Sequence, residues 1–345
     1  MASADPVSDP AGLPFAHGPS DAAVETPARR PGSARRTSSI SMFRPAGPSG
    51  DLVLVGRARD VVTVGDGSGS VVAEAQVTAV LDGTRCLRSL DAEPDGDAVA
   101  TLVGSPVASG FRRLVDAAVP QHRLVQSPLY LLLDDLPVAA LISGYADMYF
   151  RPDLAEDRPR GHPKADICSG WRSGGTMMNA IRDHGRIPIP VGPAAPPLER
   201  PGDELSWHQL DPLPKGAMRR HRRLDVYGDA PIRVDAMFRD SHVNPEGLET
   251  VLHEYSVEAT VDEAVNATLH DSLRIVSIDA TPRVLPWVEC PWAADSAQSL
   301  RGEAVTGLRR FVRDSLHGTE TCTHLNDMLR SLADVAPLVA LIHEI

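Results

Sequence analysis

The amino-acid sequence predicts an α+β protein of two pseudo-repeated modules, each a small antiparallel sheet followed by two helices packed on one face. Two observations predict this class. In the second half of the chain, segments that alternate polar and apolar residues precede segments with apolar residues at helical spacing, an order typical of helices that cover one face of an antiparallel sheet. The two halves also resemble each other, in one order and with offsets that change only through loops. The matching segments are AEAQVTAVLD (73–82) with HEYSVEATVD (253–262), GFRRLVDAAV (110–119) with GLRRFVRDSL (307–316), and LLLDDLPVAALI (131–142) with SLADVAPLVALI (331–342).

The matches divide the chain into four predicted parts. Residues 1–34 carry six prolines and no strand or helix period, so they are predicted to form a disordered leader. Residues 35–150 form a degenerate N-terminal module, and residues 216–345 form a C-terminal module that carries the candidate site. Residues 151–215 hold 11 prolines and 7 glycines, a content that disfavours long helices and predicts a linker or an irregular flap.

The elements are clearest in the C-terminal module. Alternating segments predict strands over residues 222–228, 232–241, 253–262 and 273–285. Apolar spacing then predicts one helix over residues 295–316, ended by Gly318, and a second from Thr323 through Leu338. The basic run MRRHRRLD (218–225) and the Trp207-His208 pair are interpreted as a strand edge with solvated charge.

Composition narrows the classes of function. With 34 Lys and Arg against 46 Asp and Glu, the formal charge is −12, which argues against a nucleic-acid partner. No apolar run approaches the ~20 residues that span a bilayer, and no export signal is visible, so we expect a cytoplasmic protein without membrane contact. The four cysteines are then expected to be reduced thiols, and Cys86 is interpreted as structural. A small-molecule ligand stays open as a partner, and no oligomeric state is predicted.

The candidate site combines cysteine and histidine in the C-terminal module. Cys290 lies where the last strand ends, and Cys322 lies just before the second helix, with His324 two residues further on. Helix N-termini favour thiolates, because unpaired amides and the helix dipole stabilise negative charge. Both helices must cover one sheet, so their starts should converge beside the strand that opens with His253.

Two thiolates with one or two imidazoles suit zinc or iron. We therefore predict a metal site for zinc, or else iron, with Cys290, Cys322 and His324 as ligands and His253 as a fourth ligand or an acid/base group. The first module acts as an internal control, because packing residues should recur in both modules whereas a site is needed once. In the first module, no cysteine lies near the position that corresponds to Cys290. Other residues stand at the positions that correspond to His253, Cys322 and His324. The corresponding pairs are His253 with Ala73, Cys322 with His122, and His324 with Leu124.

Two alternatives stay open beside the metal site. The first is a metal-free enzyme acting on a small metabolite, in which Cys322 is the nucleophile and His324 assists it. The second is a non-catalytic protein-interaction module whose cysteines are buried and inert.

The predicted flap has its own candidate residues. His162, Asp166 and Cys168 have metal-binding side chains, and Gly174-Gly175-Thr176 can open a helix whose free amides point at an anion. Two other interpretations are an ordered flap that packs on a module through Trp171, Met177 and Met178, and a functional flap that closes over the site of the C-terminal module.

Residues 222–338 resemble a bacterial family known as a domain of unknown function. The resemblance rests on VLPWVECP (284–291), on the L-x-G at Gly302 and on TCTHLNDMLRSL (321–332), and it covers about a third of the chain. It names a family without implying a reaction.

A more distant similarity is to the NifU-type scaffold proteins of iron-sulfur cluster assembly. It rests on the order of strand, β run, Cys, helix with L-x-G, and Cys at the next helix. The similarity implies a small antiparallel sheet with helices on one face, and zinc or a nascent cluster held by three cysteines with an acidic or histidine partner. Cys290 would match the second family cysteine, Cys322 the third, and His253 the place of the first-strand ligands. The first family cysteine has no counterpart here, and the histidine follows Cys322 where the family has it immediately before.

Overall fold

The computed structural model describes residues 6–145, 165–263 and 273–345 of the chain. Residues 1–5 of the predicted leader and residues 151–164 of the predicted linker, with His162, lie outside the described residues.

One eight-stranded antiparallel sheet, with helices packed on it, organises the described residues, and it confirms the mixed α+β class. The strands are β1 (Pro6–Ser8), β2 (Pro14–Ala16), β3 (Ser33–Phe43), β4 (Leu52–Thr63), β5 (Gly69–Leu81), β6 (Leu87–Glu93), β7 (Met218–Tyr227), β8 (Ile232–Val243), β9 (Glu249–Glu263) and β10 (Leu273–Val284). The α-helices are α1 (Gly96–Ala100), α2 (Phe111–Ala118), α3 (Pro120–Leu124), α4 (Pro128–Ile142), α5 (Thr176–His184), α6 (Leu308–Ser315), α7 (Thr323–Ser331) and α8 (Val335–His343). Strands β1 and β2 form a separate hairpin.

The order of the large sheet is β10-β9-β8-β7-β3-β4-β5-β6. Strands β3 to β6 and the helices that follow them to residue 142 are called the N-terminal half, and residues 218–343 the C-terminal half. Within each half, consecutive strands pair antiparallel, and the two halves meet where β3 pairs antiparallel with β7, from Ser33 opposite Tyr227 to Met42 opposite Met218. The sheet is therefore continuous across the two halves.

Helices cover one face of this sheet. Helix α4 packs on β3, β4 and β5, and α8 packs on β3 and β7 at the junction. Ser127 caps α4 by accepting the amide hydrogen of Tyr130 at 3.2 Å, and Pro128 occupies its first position, a place where proline loses no hydrogen bond. Side chains alternate along a strand, so each strand gives this face every second residue. Apolar cores lie under the helices of each half, with Leu54, Leu81 and Phe111 in one and Tyr255, Leu325 and Leu329 in the other.

The opposite face of the central strands is also covered. Segment 186–215 lies over it, with Trp207 and His208 buried, and His208 contacts the hydroxyls of Ser39 and Thr37. The interpretation of Met218–Asp225 as a strand edge with solvated charge is wrong, because β7 is central and every residue from Met218 to Val226 is buried. Three of its four arginines pair with carboxylates. The pairs are Arg220 with Asp240, Arg222 with Asp135, and Arg223 with Asp225 and Asp235.

The N-terminal segment differs from the expected disordered leader. Leu13 and Phe15 are buried, and the Phe15 ring packs edge-on against Trp287 at 5.3 Å. The Asp9 carboxylate accepts hydrogen bonds from the Arg186 guanidinium at 2.6 Å and from the Ile189 amide at 3.0 Å. These few anchors order a segment whose proline-rich composition alone indicated disorder.

The helix predicted over residues 295–316 is wrong in its first half. Residues Cys290–Leu300 and Val305–Gly307 form 3₁₀ turns, and regular helix begins only at Leu308. Gly302 has a φ of +83° and donates its amide hydrogen to Ile275 at 2.8 Å, so the chain turns out of the helix to pair with the edge strand β10. The second predicted helix is interrupted by a 3₁₀ turn over Leu332–Asp334, because Pro337 has no amide hydrogen to donate back to the preceding turn.

Among the described residues, no helix is long and apolar enough to cross a bilayer.

Candidate metal centre

Three ligand-type side chains converge on the helix-covered face of the C-terminal half. Asp240 on β8 lies opposite His253 on β9, and His324 lies in the first turn of α7 above them. The imidazole rings of His253 and His324 stack with centroids 3.6 Å apart and planes 14° apart. Asp240 Oδ2 lies 3.8 Å from His324 Nε2, and one ligand atom of each residue lies within 4.8 Å of the other two. Within the described ranges, this is the group whose ligand atoms are close enough to hold one metal ion.

The alternation of side chains along β8 explains why Asp240 lies on the helix-covered face of the sheet. Val234, Ala236, Phe238 and Asp240 share one face, and the first three are in the apolar core. A register shift follows directly between Asp240 and Ser241, and such bulges re-aim the side chains beside them.

Arg220 holds the Asp240 carboxylate. Its Nε and Nη2 donate to the two Asp240 oxygens at 2.9 and 2.8 Å, and its Nη1 donates to Asp327 at 3.1 Å. The guanidinium also lies 4.8 Å from the centre of the Phe238 ring. Each carboxylate oxygen keeps a second lone pair, so Asp240 remains able to bind a cation while Arg220 fixes its orientation.

Burial keeps both imidazoles neutral. It lowers the pKa of His324 to about 3, and the positive charge of Arg220 acts in the same direction. It also lowers the pKa of His253 well below its usual value, helped by His324. A neutral imidazole has one nitrogen with a free lone pair, which is the form that binds a metal.

Three cysteines form a second group beside the imidazoles. Cys322 immediately precedes α7, and its sulfur lies near the amides of His324 and Leu325. The sulfur of Cys168, from the predicted flap, lies near the Thr323 amide at the start of the same helix. Cys290 is also buried, and its thiol interacts electrostatically with both other cysteines.

Two tyrosines border the thiols. The Tyr255 hydroxyl is fully buried beside Cys322, and it has no hydrogen-bond partner of good geometry in the described part of the chain. The Tyr145 ring lies 6.2 Å from the His253 ring, and its hydroxyl is near all three thiols and Asp240. The cluster of three thiols and the cluster of Asp240, His253 and His324 are therefore neighbours.

The predicted ligand set is brought together only in part. His253 and His324 meet, but the group within 4.8 Å contains Asp240 and neither Cys290 nor Cys322. The positions of Cys290 and Cys322 at helix starts are as expected. The expected thiolate character is not found, since burial raises the pKa of Cys322, raises that of Cys290 well above its usual value, and raises that of Cys168 to about 12.

The flap packs directly over the thiols. A Cβ atom at Gly170 would lie 2.7 Å from Cys290 Sγ, so the glycine backbone lies against this sulfur. The Ser169 amide donates to the Thr321 carbonyl at 2.8 Å. The amide and hydroxyl of Thr176 donate to the Glu289 carboxylate at 2.8 and 2.9 Å, so a protein carboxylate occupies the predicted anion position.

The other flap and module candidates lie apart from this cluster. Asp166 accepts hydrogen bonds from the amide and hydroxyl of Ser173 and shapes a turn. Cys86, half-buried, forms an isolated bridge with Pro106 in the N-terminal half.

Asp240 is the residue that sequence reasoning missed. Two signals pointed to it: its place on the apolar side of an alternating strand, and the recurrence of Arg-Asp at 59–60 and 239–240. Both indicate a buried carboxylate, a rare state that requires a partner.

The N-terminal half repeats part of the arrangement. Asp60 lies opposite Ala73, with a register shift directly after it, and it pairs with Arg36 at 2.7 Å. This matches Asp240 opposite His253 and paired with Arg220, except that alanine stands where the C-terminal half has histidine.

The comparison with curated proteins finds no match. The resemblance to a domain of unknown function is confirmed: residues 218–337, which hold β7 to β10, Asp240 and both imidazoles, match the family described as "Protein of unknown function (DUF2889)".

Proposed function

We propose that the protein binds one divalent transition-metal ion, zinc or iron, through Asp240, His253 and His324. The observation that carries the proposal is the convergence of two neutral imidazoles and a carboxylate within 4.8 Å. Two histidines and one carboxylate are a recurring ligand set of zinc enzymes and of non-haem iron sites, and both leave positions for water or substrate. A small organic substrate that coordinates the metal is the corresponding class of reactant.

The local chemistry supports this assignment. The two stacked imidazoles, with ring centroids 3.6 Å apart, present nitrogen ligands side by side next to the Asp240 carboxylate. Arg220 fixes the Asp240 carboxylate in the way that outer hydrogen bonds orient metal ligands in other proteins. Both features are expected of a site prepared for a cation.

We also propose that the two halves are a duplicated module of which only the second keeps the site. Buried Arg–Asp pairs recur at matching positions in both halves, Arg36 with Asp60 and Arg220 with Asp240. The imidazoles do not recur, since Ala73 takes the place of His253. The Arg–Asp pair is thus compatible with a core that lacks histidine, so packing alone does not explain His253.

A second candidate is a thiophilic ion held by Cys168, Cys290 and Cys322. It is favoured by the electrostatic interaction of three buried thiols from separate segments and by the unpartnered Tyr255 hydroxyl beside Cys322. The three sulfur atoms are not all within 4.8 Å of one another, so this candidate requires the thiols to move closer together when the ion binds. This candidate keeps the cysteine ligands that the sequence predicted and adds Cys168 from the flap. A metal-free cysteine enzyme is less well supported, because burial raises the pKa of each thiol and so disfavours the nucleophilic thiolate.

Metal titration of chelator-treated protein separates these candidates. Zn²⁺ and, without oxygen, Fe²⁺ are added to the wild type and to three variants, and bound metal is measured by calorimetry and elemental analysis. His253→Ala installs the residue that the N-terminal half carries at this position. Cys322→Ala removes a central thiol, and His317→Ala removes an exposed histidine as the control.

The proposed site predicts one ion per chain in the wild type and in His317→Ala. In His253→Ala the affinity should fall at least ~100-fold, since losing even an outer-shell partner typically costs about 10–100-fold. Cys322→Ala should bind as the wild type does. If Cys322→Ala loses the metal while His253→Ala retains it, the metal is bound by the thiols. If the wild type binds no metal, both candidate sites are wrong.

A further inference from the structure

A small cavity lies at the centre of the molecule, away from the imidazoles and thiols. Its volume is about 10 Å³, and it lies between the sheet and the helices where β3 pairs with β7. Ser38 and Arg222, which face each other across this junction, both line it. Ser331 and Asp334 line it from the end of α7 and the turn that follows.

Two of the lining residues carry an unpaired polar atom of opposite character. Arg222 donates to Asp135 through Nε and Nη2, both at 2.8 Å, while its Nη1 has no hydrogen-bond partner in the described ranges. Asp334 accepts from Arg309 through Oδ1 at 2.7 Å. Its Oδ2 lies 3.2 Å from Arg36 Nη1 but accepts no hydrogen bond of good geometry from the described residues. Both side chains are at least nine-tenths buried.

The charges around the cavity are balanced. A set of six arginines and six aspartates joins the two halves between sheet and helices, as one ion-pair network of ten residues and the separate pair of Arg222 with Asp135. Its members are Arg36, Arg112, Arg220, Arg222, Arg309 and Arg330 with Asp60, Asp134, Asp135, Asp240, Asp327 and Asp334. A bound anion or cation would leave an uncompensated charge in this network, which is costly in a buried place.

The ligand must therefore be neutral, must accept a hydrogen bond from Arg222 and must donate one to Asp334. A halide cannot donate, and a metal ion cannot accept. A water molecule does both, and a polar cavity of ~10–15 Å³ with two to four partners is the size that holds one.

We propose that this cavity holds one structural water molecule that bridges Arg222 Nη1 and Asp334 Oδ2. The water links two ion pairs that each join the halves of the molecule, Arg222 with Asp135 of α4 and Arg36 of β3 with Asp334. It gives a hydrogen-bond partner to each of these two unpaired atoms, so it is a structural part of the folded protein. The assignment is independent of the proposed metal site.

A crystal structure of the full chain at a resolution that shows ordered water tests the proposal, with a second crystal soaked in bromide. We expect one peak within ~2.7–3.2 Å of both Arg222 Nη1 and Asp334 Oδ2, without anomalous signal from bromide. An empty cavity would overturn the proposal. An anomalous peak in the cavity would show that bromide binds there, and it would overturn the proposal in favour of an anion site.

A pair of matched variants adds a second test. Ser331→Thr adds a methyl group beside the cavity at the last residue of α7, and Ser315→Thr makes the same change at the exposed last residue of α6. If the added methyl displaces the water, its peak disappears in Ser331→Thr and the melting temperature falls, while Ser315→Thr changes neither. A peak that is absent from Ser331→Thr, with a melting temperature equal to that of Ser315→Thr, would contradict a bridging role.

Discussion

Arg36 is almost completely buried and forms ion pairs with Asp60 at 2.7 Å and Asp334 at 3.2 Å. The nearby carboxylates raise the pKa of its guanidinium although burial opposes this. Removing one partner of a buried pair leaves an uncompensated charge, which is far more costly than the pair itself is worth. At the scale of single residues, the centre of this protein therefore depends on matched charges as much as on apolar packing.

The variant Arg36→Met is expected to leave the Asp60 and Asp334 carboxylates without this buried positive charge. We expect it to lower the free energy of unfolding by about 3–5 kcal/mol. Its control is Arg313→Met, which removes the exposed partner of Asp314, whose side chains are 63% and 54% exposed, and should cost at most ~1 kcal/mol. Urea unfolding measures both. Similar losses in the two variants would show that the buried network contributes no more than a surface pair.

Individual site residues were predictable to different degrees. His253 and His324 were identifiable because the other half of the chain lacks them, and the structure brings their rings into contact. Asp240 was not identified, although it lies on the apolar side of its strand, because a buried aspartate is rare. Its burial depends on Arg220 from the neighbouring strand, a pairing that requires knowledge of the register.

At the scale of elements, the flap segment around Gly170 covers the thiol group. A side chain at this position would collide with Cys290 Sγ at 2.7 Å and with Trp287 Cδ1 at 2.9 Å. The segment is otherwise fixed by hydrogen bonds of Ser169 and Thr176 to the chain around Glu289 and Thr321. We therefore expect the fit of this segment to control how well the buried thiols are protected from reagents.

Gly170→Ala is expected to loosen this segment, since overpacking at a tight contact typically costs about 1–3 kcal/mol. In a Cys86→Ser background, the remaining thiols should then react with Ellman's reagent about 10-fold faster or more, because about 1.4 kcal/mol corresponds to a factor of ten. Gly83→Ala is the control, since a Cβ there meets nothing within 4 Å. Equal reaction rates in the two variants would mean that the flap does not protect the thiols.

Strands were more predictable than helices. Alternation located β8, β9 and β10 of the C-terminal half because strands with one apolar face carry this period. The prediction of a helix over residues 295–316 was wrong because Gly302 and Ala304 pair with the edge strand β10. This is a long-range contact, and the spacing of apolar residues along the sequence gives no information about it. The burial of β7 was missed because six of its residues are charged or histidine, and their partners come from other strands and from α4.

At the scale of the whole molecule, buried neutral histidines link stability to pH. Burial lowers the pKa of His208 to about 3 and that of His242 to about 4, and it lowers the pKa of His221 well below its usual value. Above the ordinary histidine pKa, these rings are neutral in both folded and unfolded chains. Below it, the unfolded chain binds protons that the folded chain cannot, so stability is lost as the pH falls.

We therefore expect the free energy of unfolding of metal-free protein to be level near neutral pH and to fall between about pH 6.5 and the lowered values near 3 to 4. Urea midpoints measured at intervals through this range test the expectation. Replacing the buried His208 by glutamine should make the fall less steep, whereas replacing the exposed His317 should not. A midpoint that rises as the pH is lowered through this range would contradict the expectation.

The continuous eight-stranded sheet is the feature of the whole molecule that the sequence did not predict. The two expected sheets fuse because β3 and β7 pair over ten residues in register. The strands that pair at this junction are separated by segment 44–217, and neither carries a local signal for the other. Residues 1–34 were expected to form a disordered leader and residues 151–215 a linker or an irregular flap, and the described parts of 6–30 and 186–215 cover the sheet.

X-ray absorption spectroscopy of the metal-loaded full chain tests the proposed site most directly. Zinc bound by Asp240, His253 and His324 should show a first shell of nitrogen and oxygen at about 2.0–2.2 Å and no sulfur. The Cys322→Ala variant should give the same spectrum. A sulfur shell at about 2.3 Å that disappears in Cys322→Ala would contradict the account and assign the metal to the cysteines.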